Sequence, residues 1–336
     1  MIDKIISLAK EKKNISDFHL RECSDISYRM MGDIKIEPNS KITEKDLNEL
    51  IKKNCTNEEI KKFETKNELD TAVILGDLRF RANFYKTLNG LAAVLRRVEV
   101  KIPLMEDLNL PQILFSLLDA HKGLVLVTGP TGSGKSTTLA AIINQINESR
   151  SFNIITIEDP VEFIHEDKKS IISQREVGKQ TESFSHALKA ALREDPDVIL
   201  VGELRDLDTI GMALTAAETG HLVFGTLHTS GAPNTVNRII DVFPPEQQGQ
   251  IRAQLADSLN MVVTQKLFKK KDGTGRVGAV EVMVCNAPIK NLIREAKIHQ
   301  IPSVMQTGQR VGMMTMDKSI EDLISRGIIS SAEKNS

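Results

Sequence analysis

The feature that most constrains the fold is a glycine-rich octapeptide, Gly129-Pro130-Thr131-Gly132-Ser133-Gly134-Lys135-Ser136. It matches the pattern G-x-x-x-x-G-K-[ST], and it lies between an apolar run, Leu124 to Thr128, and a helical pattern that begins at Ser136. A strand, a tight glycine turn and a helix in this order build a cradle for phosphate groups. The segment therefore predicts an α/β domain with a nucleotide site at the end of one strand.

The residue types in this segment fit the chemistry of a nucleoside triphosphate. Glycines let backbone N–H groups curl around the β-phosphate, and the helix that follows adds its positive N-terminal dipole. Lys135 places a positive charge between the β- and γ-phosphates, and the Ser136 hydroxyl is a ligand for Mg²⁺. ATP and Mg²⁺ are the expected cofactors. The candidate nucleotide-binding residues are Gly129, Pro130, Thr131, Gly132, Ser133, Gly134, Lys135, Ser136 and Thr137.

Two acidic segments follow apolar runs of strand character. One extends from Ile157 to His165 and contains Glu162, and the other passes from Asp197 through four apolar residues to Gly202 and Glu203. Ligands of open α/β sheets gather where strands end, and hydrolysis needs a metal ligand and a group that orients water. A solvated acidic turn would explain either segment alone, but two of them in a phosphate-binding domain favour catalysis. Gly202 would let the backbone approach the phosphates closely.

Two histidines, His221 and His228, bound another apolar run. His228 would lie at the same edge of the sheet as Glu203, where an imidazole can hydrogen-bond the γ-phosphate and respond to its loss. A histidine beside an apolar run is explained equally well as a partnered core or edge residue, so the residues alone leave both interpretations open.

The pattern of the chain changes near residue 112 and predicts two domains. Residues 1–98 have the short strand and helix patterns of a small α+β unit, with a capped helix at Thr43 to Asn54. Residues 99–111 hold two prolines and no clear period, so we interpret them as a linker. Residues 112–336 alternate β-branched runs with helical segments, which predicts a parallel sheet covered by helices and a small helical C-terminal part. The main predicted elements there are strands at Leu124–Thr128, Asn153–Ile157, Val198–Val201, Leu222–Thr226 and Val277–Val284, and helices at Ser136–Asn147, Ser185–Glu194, Asp206–Ala217 and Pro245–Asn260.

Composition argues against several functional classes. Lys plus Arg number 44 and Asp plus Glu 45, so a net charge of -1 gives no general attraction for nucleic acid or anionic lipid. Aromatic residues are 4% with no Trp, and the basic run Lys269 to Lys271 is interpreted as a solvated hairpin tip, so no track for a nucleic acid strand is expected. Three widely spaced cysteines without a Cys-x-x-Cys pair support neither a zinc site nor a disulfide framework.

The sequence also bears on the membrane. No apolar run approaches the roughly 20 residues of a transmembrane helix, and charged residues stand among the first four. We expect neither a membrane span nor a signal peptide, and therefore a cytosolic protein that partners would hold at any membrane where it works.

The motifs together, by their order and spacing, resemble the secretion ATPase superfamily, and within it the retraction ATPases of type IV pili (the PilT type). The glycine-rich loop is one family box. Glu158 to His165 resembles the Asp box, Leu192 to Asp206 the Walker B box, and His221 to His228 the His box. Ser16 to Leu20 and Met31 to Asp33 resemble the family's PAS-like first domain. The resemblance covers almost the whole chain and implies a PAS-like α+β domain followed by a RecA-like P-loop ATPase domain.

The resemblance implies roles for individual residues. Glu162 would be the general base or would orient water, and Glu203 would act at the Mg²⁺ and the water. His228 would sense the γ-phosphate, and His221 would support its box. Arginines of the first domain would close over the nucleotide, and the matching candidates are Arg81, Arg96 and Arg97, among which the sequence does not choose.

The resemblance also implies an assembly. The chain would form a homohexamer at the cytoplasmic face of the inner membrane, held there by a pilus platform protein (PilC-like). A related accessory retraction ATPase would be a further partner, and nucleic acid is not expected to be one.

A motif near the C-terminus bears on the direction of pilus movement. The segment Pro288-Ile289-Lys290-Asn291-Leu292-Ile293-Arg294-Glu295 resembles the retraction family's Ala-Ile-Arg-Asn-Leu-Ile-Arg-Glu motif, with departures at Pro288 and Lys290. Lysine keeps the charge of arginine but loses its forked donor, and proline is compatible with the first turn of a helix. Extension and secretion ATPases usually carry a tetracysteine zinc module and an additional N-terminal domain, neither of which this sequence contains.

We therefore interpret the chain as a Mg²⁺-dependent ATPase that drives pilus retraction and twitching motility. An extension ATPase, a non-catalytic accessory subunit and a nucleic-acid motor are the alternatives.

Overall fold

The computed structural model describes residues 1–12, 15–30, 32–98 and 101–332. The chain divides into two compact units, Met1–Lys101 and Ile102–Ser336. The predicted linker, residues 99–111, therefore begins with two residues outside the described part, and its later residues belong to the second unit. Met105 of this segment is buried against Val125 and Val127 in the core of the second unit.

The first unit is an antiparallel sheet covered by helices. Its described strands follow the spatial order β3-β2-β1-β6-β5-β4, and each neighbouring pair is antiparallel. The elements in chain order are α1 (Ile2–Glu11), β1 (Ile15–Arg21), β2 (Asp25–Met30), β3 (Asp33–Lys41), α2 (Glu44–Asn54), α3 (Asn57–Lys66), β4 (Glu68–Leu75), β5 (Leu78–Thr87) and β6 (Gly90–Val98).

Local sequence signals explain much of this unit. Thr43 caps α2 in a capping box, because its side chain accepts from the backbone of Asp46, whose carboxylate accepts from the backbone of Thr43. The alternating burial of β4 and β5 places one face of the sheet against the helices, and Phe18, Phe80 and Phe84 fill the core between them. The sequence patterns did not reveal α3 or β3. The segment Met31 to Asp33, which resembles the PAS-like first domain, begins with Met31, and this residue lies outside the described residues.

The second unit is a mostly parallel sheet with helices on both faces. Its described strands follow the order β13-β12-β7-β11-β10-β8-β9, all parallel except the β12–β13 pair. The strands are β7 (Gly123–Thr128), β8 (Asn153–Glu158), β9 (Ile171–Glu176), β10 (Val198–Val201), β11 (Leu222–Leu227), β12 (Leu259–Lys269) and β13 (Arg276–Val284). The helices are α4 (Lys135–Ser149), α5 (Phe184–Ala191), α6 (Leu207–Glu218), α7 (Ala232–Asp241), α8 (Gln248–Ser258), α9 (Ala287–Arg294), α10 (Ile301–Thr307) and α11 (Met316–Ser325).

The central strands are apolar because both of their faces are covered. Every residue of β7, β10 and β11 is buried, which is why these strands appear in the sequence as continuous apolar runs. Leu124 and Leu126 pack with the cluster of α5 to α8 on one face. Val125 and Val127 pack with α4 on the other face. The α/β class expected for this unit is confirmed.

The structure corrects several expected elements of the second unit. The helix expected at Pro245–Asn260 begins at Gln248 and ends at Ser258, because Leu259 starts β12. The strand β12 and the helix α7 were not expected, and neither was the edge strand β9. Within the described residues, no helix is both long and apolar enough to cross a lipid bilayer.

Candidate functional site

The glycine-rich loop lies at the C-terminal end of β7 and leads into α4. Lys135 is the first residue of α4, and its Nζ donates to the carbonyl oxygens of Gly129 at 2.8 Å and Pro130 at 3.2 Å. Burial lowers the pKa of Lys135, while the charges of Glu203 and Glu162 act in the opposite direction. Lys135 therefore lies across the loop, within electrostatic reach of both predicted acids.

The loop also contains an unsatisfied polar atom. The Ser133 hydroxyl is buried and has no hydrogen-bond partner among the described residues. A buried hydroxyl without a partner is rare in native structures, and a phosphate oxygen can accept a hydrogen bond from it. This atom fits the nucleotide that the motif predicts.

Glycine at position 129 is required by close contact with a neighbouring strand. Gly129 has a φ of +133°, and a Cβ atom there would lie 2.3 Å from the carbonyl oxygen of Gln265 in β12. The side chain of Gln265 donates to the Thr138 hydroxyl of α4 at 2.8 Å. The strand β12 thus supports both the loop and the helix that follows it.

The acidic segments meet the loop at one edge of the sheet, because β7, β8, β10 and β11 are parallel. A pocket at this edge is lined by Ser136, Glu158, Glu162, Gly202, Glu203 and Arg205, among others. One hydroxyl and several carboxylates are thereby brought together, although they are far apart in sequence. Oxygen ligands of this kind suit Mg²⁺, which uses one or two carboxylates together with substrate phosphates.

No group of three or more His, Cys, Asp or Glu side chains is placed to hold a metal ion by itself in the described ranges. A Mg²⁺ ion in this pocket would take phosphate oxygens as further ligands. Ser136 and Glu203 are the residues that would hold it.

Glu203 lies at the end of β10 with two basic neighbours. Its Oε2 accepts from Arg205 Nη2 at 2.7 Å and lies 3.5 Å from His228 Nε2. Burial raises the pKa of Glu203, but the hydrogen bond and charge of Arg205, helped by His228, outweigh burial and hold it below its usual value. Glu203 is therefore ionised at neutral pH, as a metal-binding or water-binding carboxylate must be.

Gly202 precedes Glu203, and the structure gives a reason for glycine there. A Cβ atom at this position would lie 3.1 Å from the carbonyl oxygen of Ile157 and 3.2 Å from Cα of Glu158. The close approach is to the backbone of β8. It brings the ends of β8 and β10 together and places their acids in one pocket.

A buried polar cluster lies at the end of β8. Glu158 accepts from the Thr156 hydroxyl at 2.7 Å and from Gln174 Nε2 at 3.3 Å. Burial raises its pKa, although hydrogen bonds from Thr156, Gln174 and the backbone of Glu162 act against the rise. The side chain of Glu158 therefore binds to the loop that carries Glu162.

His165 lies three residues after Glu162 in this loop and borders a cavity that is lined by Ser136, Leu139, Ile143 and Phe163. Its Nδ1 is buried and has no partner in the described part of the chain. Burial, followed by the charge of Lys168, lowers the pKa of His165 to about 4. The ring is therefore neutral at neutral pH and packs as a largely apolar group.

The predicted histidines lie at opposite ends of β11. His228 follows the C-terminal end of the strand, beside Glu203. His221 precedes the N-terminal end, where its ring Nδ1 lies 3.0 Å from the carbonyl oxygen of Ala216. The structure therefore brings His228 to the acidic pocket and leaves His221 at the opposite edge of the sheet.

The three candidate arginines lie on β5 and β6 of the first unit. Arg96 Nε donates to Asp17 at 2.9 Å, and Arg97 Nη1 donates to the carbonyl oxygen of Ala9 at 2.9 Å. Arg81 is opposite Arg96 in the register of β5 and β6. Their approach to a nucleotide stays a prediction.

The C-terminal motif forms α9 and the turn after it. Asn286 caps this helix, and Pro288 lies in its first turn, where a missing N–H costs nothing. Ile289 and Ile293 are buried in the core. The basic residues face α8, since Lys290 Nζ donates to the carbonyl oxygen of Asp257 at 3.3 Å and Arg294 pairs with the Asp257 carboxylate. Lysine is sufficient at position 290, because one carbonyl acceptor requires only one donor and not the forked donor of arginine.

Several residues of the site were missed from sequence alone. Arg205 follows Glu203 by two residues, and that spacing could have indicated an ion pair between them after the end of β10. Gln174 and Glu176 lie on β9, an edge strand whose sequence Ile-Ile-Ser-Gln-Arg-Glu has little apolar pattern. Their role depends on the pairing of β8 with β9, which no local signal revealed.

Comparison with known proteins places this geometry in context. Residues 65–335 match the model of a family described as "Type II/IV secretion system protein". A "Twitching motility protein" of Neisseria gonorrhoeae is 49% identical over 302 residues, which cover 90% of this chain and 81% of that protein.

Two further similarities extend over nearly the whole chain. A "Type IV pilus retractation ATPase PilT" of Pseudomonas aeruginosa is 47% identical over 320 residues, covering 95% of this chain and 93% of that protein. The solved structure described as "Crystal Structure of the Pilus Retraction Motor PilT and Bound ADP" is 44% identical with a TM-score of 0.91, covering 98% of this chain and 95% of that one.

Proposed function

This chain belongs to the type II/IV secretion system protein family, and we propose that it is the ATP-driven motor that retracts type IV pili. Its similarity to the PilT ATPases extends across both units, and it is a P-loop ATPase. The observation that carries the proposal is the convergence of Lys135, Ser136, Glu162 and Glu203 at one edge of the parallel sheet.

We assign the nucleotide to the loop of residues 129–136. The backbone N–H groups of the loop and the start of α4 would bind the β-phosphate, and Lys135 would leave its carbonyl partners to contact the β- and γ-phosphates. The unpartnered hydroxyl of Ser133 supports a phosphate at this position. Nucleotide binding would thus replace interactions that close the loop on itself.

Mg²⁺ bound with ATP would supply charge neutralisation at the β- and γ-phosphates. Ser136 and Glu203 would hold it. Glu162 would accept a proton from the attacking water or orient that water, and His228 beside Glu203 would respond to loss of the γ-phosphate. The hydrogen bond and charge of Arg205 hold the pKa of Glu203 below its usual value.

The mechanical part of the proposal concerns the assembly. We propose a homohexamer in which an arginine of the first unit, Arg81, Arg96 or Arg97, reaches the nucleotide. The hexamer would act on an inner-membrane platform protein from the cytoplasmic side. Similarity to a twitching motility protein and to a retraction ATPase supports this direction of movement over pilus extension.

Deletion of the gene in its host tests the direction of movement. A retraction motor predicts cells that keep surface pili but do not twitch, and that regain twitching with the wild-type chain but not with Lys135→Ala. Cells without pili after the deletion would contradict retraction and favour an extension ATPase. Cells that twitch normally without the gene would contradict both.

A further inference from the structure

The loop that carries Glu162 is attached to the sheet by side chains. Residues 159–170 form neither helix nor strand, and Glu162 itself is exposed. A catalytic carboxylate on such a segment needs supports, because misplacement by about 1 Å can cost a factor of about 100 in rate. The supports come from the neighbouring edge strand, β9.

Gln174 of β9 makes three hydrogen bonds with a single side-chain amide, two to the loop and one to Glu158 of β8. Its Nε2 donates to the carbonyl oxygen of Phe163 at 2.8 Å and to Glu158 Oε1 at 3.3 Å. Its Oε1 accepts from the backbone N–H of His165 at 2.8 Å. The amide therefore binds the loop just after Glu162 through both of its polar atoms.

Two carboxylates bind the loop on the other side of Glu162. The buried Glu176 of β9 accepts from the backbone N–H of Val161 at 3.2 Å. Glu158 accepts from the backbone N–H of Glu162 itself. Because Gln174 also donates to Glu158, it contacts the loop directly and also orients the carboxylate that binds Glu162.

We propose that Gln174 is a positioning residue for ATP hydrolysis, which acts by fixing the backbone that carries Glu162. This inference rests on the proposed function, because it takes Glu162 as the carboxylate that activates or orients water. Among the described residues, the side chain of Gln174 hydrogen-bonds Glu158, Phe163 and His165, and none of these bonds reaches the loop of residues 129–136 or Glu203. Its removal should therefore impair turnover and leave nucleotide binding nearly unchanged.

The first variant for the test is Gln174→Leu, which keeps the size of the side chain and removes all three hydrogen bonds. We expect kcat to fall about 10- to 100-fold while the KM for ATP and the affinity for ADP stay within about 3-fold. Ser173→Ala is the matched control, since Ser173 is exposed on the same strand. It should keep wild-type kcat.

A second variant separates positioning from loss of folding. Gln174→Glu keeps an oxygen that can accept from the N–H of His165 but loses the two donated hydrogen bonds. We expect a kcat below that of wild type, because the new carboxylate also faces Glu158 and the carbonyl oxygen of Phe163, and thermal melting identifies whether the variant is folded. A kcat equal to wild type in both folded variants would overturn the positioning role.

A double-mutant cycle with Glu162→Gln gives a readout that general destabilisation would not produce. If Gln174 acts through Glu162, Gln174→Leu should cause no further loss of kcat when Glu162 is already glutamine. An equal fold-loss in both backgrounds would contradict the inference.

The cycle also distinguishes this inference from the proposed function. A wild-type chain without ATP turnover would contradict the proposed function. A Gln174→Leu variant with wild-type kcat, beside an inactive Glu162→Gln, would contradict only the positioning role.

Discussion

Gly129→Ala tests whether the phosphate-binding loop rests on β12 as closely as the structure indicates. A Cβ atom would lie 2.3 Å from the carbonyl oxygen of Gln265 and 2.8 Å from the Ser133 hydroxyl, at a φ of +133°. Such a backbone conformation costs about 1–3 kcal/mol for a residue other than glycine. Overpacking against backbone adds about 1–3 kcal/mol, so we expect a loss of about 2–6 kcal/mol. Relief of the contact moves the loop by about 1 Å, which should weaken ADP binding about 10- to 100-fold.

Gly132→Ala is the matched control in the same loop. Gly132 also has a positive φ, +77°, but a Cβ atom there would meet nothing within 4 Å. Only the backbone cost of about 1–2 kcal/mol remains. Melting of both variants without nucleotide, followed by calorimetric titration with ADP, measures the two effects. We expect Gly129→Ala to lower the melting temperature more than Gly132→Ala does. Equal shifts, or unchanged ADP binding by Gly129→Ala, would contradict a close contact between the loop and β12.

Three further predictions concern charged and titrating groups. Lys135→Ala should weaken ADP binding about 10- to 100-fold in titration calorimetry, because a charge-assisted hydrogen bond of about 1.5–3 kcal/mol from Lys135 to the β-phosphate is lost. Arg205→Gln should move the acidic limb of the pH profile of kcat/KM to higher pH, because burial then raises the pKa of Glu203 without the opposing charge. The wild-type chain should lose about 3 kcal/mol of unfolding free energy between pH 6.5 and 4 through His165, and His165→Leu should abolish this loss. The folded pKa of His165 is about 4 against 6.5 unfolded, so the unfolded state binds the proton first and stability falls as pH falls.

Each of these predictions has a matched control on the same unit. Lys122→Ala removes an exposed lysine at the start of β7, Arg193→Gln an exposed arginine after α5, and His186→Asn an exposed histidine in α5. Full ADP affinity in Lys135→Ala would contradict phosphate binding by Lys135. An unmoved acidic limb in Arg205→Gln would contradict the effect of Arg205 on the pKa of Glu203. An unchanged pH dependence of stability in His165→Leu would contradict the lowered pKa of His165.

The parts of the fold that were predictable from sequence are those with a strong local signal. The glycine-rich loop and the buried strands β7, β10 and β11 have such signals, since strands covered on both faces are continuously apolar. The strand β12 lacks one, because Leu259 follows directly on α8 without a glycine or proline between them. The two elements therefore merge into one apparent helical pattern.

The parts of the site that escaped prediction depend on contacts between distant segments. Glu162 and Glu203 were predicted because each follows a strand end, which is a position that sequence can indicate. Gln174 is bound to the Glu162 loop through the pairing of β8 with β9. Hydrogen bonds of this kind depend on strand register, and the polar sequence of an edge strand does not specify its neighbour.

The central claim is tested most directly by ATP turnover of the purified chain with its mass in solution measured by light scattering. We expect turnover that requires Mg²⁺ and is lost in Glu162→Gln, by a species with the mass of six copies of a 37.3 kDa chain. A monomer or dimer that does not hydrolyse ATP, even at high protein concentration with ATP and Mg²⁺, would contradict it.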